Sequence, residues 1–104
     1  MPGPHSSKEA LPWIQEAMAA GRYFPDPHFE KRCRERGFTV HHAKRVIKTA
    51  TSCTPYPTQP LRAGGTAWTV KGTDLDGQMT EVGVEACRDH LGRRVILVTV
   101  RDPR

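Results

Sequence analysis

The spacing of apolar positions changes near Ala50. Before it they recur every three or four residues; after it they alternate. Leu11, Ile14 and Met18 share one face of a predicted helix over Ser7–Gly21. Ser6 or Ser7 can cap that helix, and Gly21 can end it. Pro12 suits a first turn better than a helix interior, which moves the expected start toward Leu11. Phe24-Pro25-Asp26-Pro27 reads as a break, and Asp26-Pro27 as a helix start with its acid at the positive end of the dipole. A second helix is predicted over 27–36, stopped by Gly37, and a third over 40–50, capped by Thr39. Val40, Ala43, Val46, Ile47 and Ala50 make the apolar face of the third, with His41, Lys44, Arg45 and Lys48 opposite. The link Gly37-Phe38-Thr39 is so short that the two helices form a tight pair.

Thr51–Pro60, rich in Thr and Pro, reads as a loop or an irregular edge strand. Thr66–Gly72 and Met79–Ala86 alternate around Asp74-Leu75-Asp76-Gly77, which predicts a hairpin. Asp89-His90-Leu91-Gly92 is a second turn. The run Arg94–Val100 is almost continuously apolar, as in a central strand covered on both faces. Helices followed by an antiparallel meander give an α+β class. The expected organisation is a flexible tail over 1–6 and one domain over 7–104, in which 7–21 is an extra N-terminal helix and 24–100 the main body.

Composition narrows the classes. A chain of 104 residues makes one domain, and its hydrophobic fraction of 37% lies above the disordered range. Trp13 and Trp68 read as core anchors. No apolar run approaches the ~18 residues of a membrane span, and Met1–Ser7 lacks the pattern of a secretory signal. Three cysteines with no CxxC argue against a disulfide scaffold and for a reducing compartment, expected to be the cytoplasm, or a target cell's cytoplasm into which the protein is delivered. Cys33 and Cys87 read as small buried hydrophobes, and His41-His42 lacks zinc-ligand spacing. No metal, cofactor or membrane partner is expected.

The net charge is +5, and all of the excess lies between His28 and Lys48. Seven basic residues there face only Glu30 and Glu35, while the rest of the chain sums to zero. A neutral body with one basic band points to a polyanion or an anionic substrate, although a solvated helical face has the same signature. His28, Arg32 and Arg36 lie four apart, which stacks an imidazole and two guanidiniums along one side of the second helix. Histidine moves protons near neutral pH, and arginine grips phosphate through a planar fork of donors. Together they are a minimal set for cutting RNA: a base for the 2′-OH, cations for the charged transition state, and an acid for the leaving oxygen. His90 is a further candidate for proton transfer, Lys71 for phosphate contact, and Lys44, Arg45 and Lys48 for steering.

His28-Phe29-Glu30-Lys31-Arg32-Cys33-Arg34-Glu35-Arg36-Gly37-Phe38-Thr39 resembles the opening signature of the uncharacterised bacterial family catalogued as DUF 4258. His28, Arg32, Glu35, Arg36, Gly37 and Thr39 match it, and Tyr56, Val70-Lys71-Gly72, Gly77-Gln78 and Val95–Thr99 resemble its later features. The chain departs from the pattern at Thr99-Val100-Arg101 and at Cys87–His90. The resemblance implies a fold similar to the RelE and barnase–EndoU–colicin–RelE ribonuclease toxins, with helices on a four-stranded antiparallel sheet. It further implies metal-independent RNA cleavage and control by an acidic antitoxin or immunity protein. It nominates His28, Arg32, Arg36 and Thr99 as catalytic and Tyr56 as substrate-binding. Two other classes remain. One is a non-catalytic helix-turn-helix module using residues 40–48, which lack the Asn or Gln that would read bases. The other is a basic interaction or antitoxin protein.

Overall fold

A computed structural model describes residues 3–101. The elements run α1 (Ser7–Ala19), β1 (Tyr23–Pro25), α2 (Pro27–Arg36), α3 (Val40–Thr49), β2 (Ser52–Pro55), β3 (Thr66–Thr73), β4 (Met79–Asp89) and β5 (Gly92–Arg101). The class is α+β. The sheet has five strands in the order β1-β5-β4-β3-β2, with β1 parallel to β5 and every other pairing antiparallel. This corrects the expected four antiparallel strands. Tyr23-Phe24-Pro25 is too short to show an alternating period, and its partner Val95-Ile96-Leu97 lies at the other end of the chain.

Local chemistry sets the helix ends. Asp26 Oδ2 accepts the His28 amide at 3.0 Å, and Gly37 closes α2 in the left-handed region at φ +63°. Thr39 and His42 form a reciprocal cap on α3. Helix α1 starts at Ser7, capped by Ser6, rather than near Leu11. Pro12 lies inside it with its ring exposed, so the helix gives up one hydrogen bond on its solvent side.

All three helices contribute to a core on one face of the sheet. Ala10, Ile14, Phe29, Ala43, Val46 and Ile47 meet Val70, Val82, Val84, Val95, Leu97 and Val100 there. Each large apolar side chain buried in this way stabilises the fold by about 1.5–3 kcal/mol. Trp13 and Trp68 join them, and Cys33, Cys53 and Cys87 are all buried free thiols. At Gly72 the backbone of β3 runs so close under the Val46 carbonyl that a Cβ would collide with it.

The opposite face is built differently. Cys87, Ile96 and Val98 form a small apolar cluster, and the loop 56–65 crosses the middle strands. Glu85, fully buried on β4, holds that loop by accepting the amides of Arg62, Ala63 and Gly65 at 2.6, 2.9 and 2.8 Å. Gln59 Nε2 donates to the Val84 carbonyl at 3.0 Å. In the expected flexible tail, Gly3 and Pro4 are buried, and Thr66 Oγ1 donates to the Pro4 carbonyl at 2.6 Å. Residues 1–2 and 102–104 lie outside the described residues. No helix among the described residues is long and apolar enough to cross a membrane.

Candidate functional site

A short strand and a bulge create the site. β1 ends at Pro25, the Asp26 amide makes a last ladder bond to the Leu97 carbonyl at 2.8 Å, and the chain turns into α2. Beyond Leu97, β5 has no strand on that side among the described residues. In the same place Leu97 pairs with Val84 and Thr99 with Gly83, which leaves Val98 unpaired as a bulge. Val95, Leu97 and Val100 point to the helices, whereas Ile96 and Val98 point away from them. A regular strand would place Thr99 on the core side with Leu97; the extra residue turns it, with Val98 and Arg101, into an open cleft.

The cleft holds about 450 Å³ between the first turns of α2, the end of β5 and the loop after β2. Four residues named from sequence line it: His28, Arg32, Tyr56 and Thr99. Six others were not named as site residues: Asp26, Gln59, Pro60, Arg62, Val98 and Arg101. Three guanidiniums thus face one lining carboxylate. His28 is exposed, and its ring has no hydrogen-bond partner among the described residues. Arg32 lies 3.6 Å from Glu35, a loose i,i+3 pair that leaves its fork available. Arg62 Nε donates to Asp26 Oδ1 at 3.1 Å, so Asp26 both caps α2 and anchors the facing loop. Arg101 is the most firmly set: it donates to Thr69 Oγ1 at 2.9 Å, lies 3.5 Å from Glu81, and stacks on the Tyr56 ring at 4.4 Å.

The other nominated residues lie elsewhere. Arg36, one turn past Arg32, lines the neighbouring hollow with Phe38, Asp74 and Gln78, and only Arg101 is shared between the two. Lys44 and Lys48 line a groove with Gln15, Met18 and Ile47 between α1 and α3, away from the cleft. Arg45 is exposed on α3. Lys71 is exposed on β3 opposite Glu81, which stands between it and Arg101 in the sheet. His90 is exposed in the β4–β5 turn. The basic band is contiguous in sequence and divided in space.

His42, Asp74 and Asp76 come within 4.8 Å of one another, close enough to suggest a metal site. His42 and Asp74 already have local structural partners. His42 Nδ1 accepts the Thr39 amide at 3.2 Å, which leaves Nε2–H to donate to Asp76 at 3.3 Å. Asp74 accepts from the amides of Asp76 and Gln78 and from the Thr80 hydroxyl. The cluster caps α3 and shapes the β3–β4 turn. Thiol chemistry is also disfavoured: burial, helped by Glu30, pushes the Cys33 thiol up, and burial does the same at Cys53 and Cys87. His28 supplies the one imidazole among the cleft's lining residues. No family model, curated protein or solved structure matches the chain.

Proposed function

We propose that the protein is a metal-independent ribonuclease of the toxin or effector kind, acting on RNA in its own cytoplasm or in that of a target cell. One observation carries the reading: a free imidazole, three guanidiniums, a phenol and a hydroxyl converge in one cleft. The resemblance to the DUF 4258 signature and to RelE- and barnase-type folds points the same way through His28, Arg32, Tyr56 and Thr99. The parallel fifth strand stands outside that pattern.

His28 takes the 2′-hydroxyl proton, and the 2′-oxygen attacks the adjacent phosphorus. The bond to the 5′-oxygen breaks, leaving a 2′,3′-cyclic phosphate and a 5′-hydroxyl. Arg32, Arg62 and Arg101 stabilise the charge that builds on the phosphoryl oxygens, and Thr99 donates to one of them. The leaving oxygen takes its proton from the Tyr56 phenol or from water. An acidic antitoxin or immunity protein has a separate surface, since Lys44 and Lys48 flank the largely apolar groove of Met18 and Ile47.

The decisive experiment is RNA cleavage in EDTA by wild-type protein and by His28→Ala, with growth of expressing cells as a second readout. Loss of cleavage by roughly 10²–10⁴-fold in a variant that melts like wild type is the expected result. Intact RNA after wild-type treatment, with normal growth, overturns the reading.

A further inference from the structure

We propose that the substrate is single-stranded, with bases on either side of the scissile phosphate stacked on two aromatic platforms, Tyr56 with Arg101 and Phe24 with Arg94. This rests on the reading of the cleft as an RNA site.

Phe24 pairs with Ile96, so it lies on the face turned away from the helices. It is 46% exposed, which leaves a large aromatic surface uncovered. Asp26, two residues or roughly 7 Å further along the extended chain, already lines the cleft. The Arg94 guanidinium lies 4.9 Å from the Phe24 centroid, just as Arg101 lies 4.4 Å from that of Tyr56. Two similar stacks thus lie on this side of the sheet, one lining the cleft and one on β1 just before Asp26, each offering a flat π-surface beside a cation. Arg94 is also underused: its Nε is buried without an acceptor, and its closest carboxylate, Asp89, is 3.8 Å away.

Stacking platforms beside cations are how proteins hold single strands, because every unpaired base has a face to stack. A duplex keeps its bases stacked on one another, and a 450 Å³ cleft admits about one nucleotide at a time.

The test uses the full chain carrying His28→Ala, so that substrate survives. Anisotropy titrations compare a labelled single-stranded hexaribonucleotide with a blunt RNA duplex of the same length. The single strand is expected to bind more tightly. Adding Phe24→Leu should weaken that binding about tenfold, and adding Phe24→Trp instead should retain it. Unchanged affinity with Phe24→Leu, while Arg32→Ala weakens binding, overturns this inference and leaves the RNA site standing. Equal affinity for the duplex overturns it as well. Phe24-dependent binding by a protein whose wild type never cuts overturns the ribonuclease reading alone. Absence of any RNA binding overturns both. Thermal melts keep the comparison to folded variants.

Discussion

The two faces of the sheet hold the molecule together by different means. The helix face is filled by close-packed aliphatic and aromatic side chains, from Ile14 and Phe29 to Val84 and Leu97. The other face carries a small apolar patch, and polar bonds from Glu85 and Gln59 fasten a loop over it. Non-directional packing gives the first face its strength, while directional hydrogen bonds give the second its shape. The cleft belongs to the second, where a guanidinium or a hydroxyl has to be aimed.

Substitutions should separate the two. The largest loss is expected from Phe29→Ala, which empties a fully buried site and removes about 3–5 kcal/mol from global stability in a urea titration. Every amide protected by global unfolding should lose protection together. Glu85→Ala is expected to cost about 2–3 kcal/mol, because it strips the Arg62, Ala63 and Gly65 amides of their acceptor. Hydrogen exchange should accelerate first in that loop and RNA binding should fall with it; a uniform loss across the sheet would erase the distinction between the faces. Gly83→Ala is milder. Its Cβ would approach Thr99 Cγ2 and Gln59 Oε1 at 2.7 and 2.9 Å, both movable side-chain ends, for about 1–2 kcal/mol. Its effect on cleavage should exceed its effect on melting temperature, since both neighbours line the cleft.

The smallest expected effect lies in the β4–β5 turn. The Leu91 amide holds the Asp89 carboxyl below its ordinary value; burial opposes it, and Arg22 adds to the lowering. A lowered carboxyl binds fewer protons in the folded than in the unfolded chain. Its contribution is therefore complete above the ordinary carboxylate range and disappears as pH falls through the lowered value. Asp89→Asn should flatten the acid side of a plot of melting temperature against pH; an unchanged acid side would show that Asp89 contributes nothing to it.

The helices were legible because their signals are local. Asp26, Gly37 and Thr39 act within four residues of themselves, and the face of Ala43, Val46 and Ile47 repeats at helical spacing. β1 was not legible, since three residues carry no period. The bulge was hidden inside a nearly continuous apolar run, where core-facing and outward residues look alike from Val95 to Val98. Thr99 was reached through a resemblance rather than through alternation, which would have buried it. Arg62 gave no signal because Glu85, on a distant strand, sets its position. The +5 band misled in part: charge density names neither the helix face nor its distance from Arg101, and only His28 and Arg32 of that band turn into the cleft.

The pairing of β1 with β5 also bears on when the site comes into being. Tyr23–Pro25 lies beside Val95–Leu97, a contact of very long sequence separation whose loop must close before it stabilises anything. During synthesis α2 emerges well before its partner strand, so His28 and Arg32 leave the ribosome with no cleft to occupy. The bulge, Thr99 and Arg101 arrive on β5, after every helix. A partly made chain therefore lacks the cleft, whose residues come together only as the fold closes.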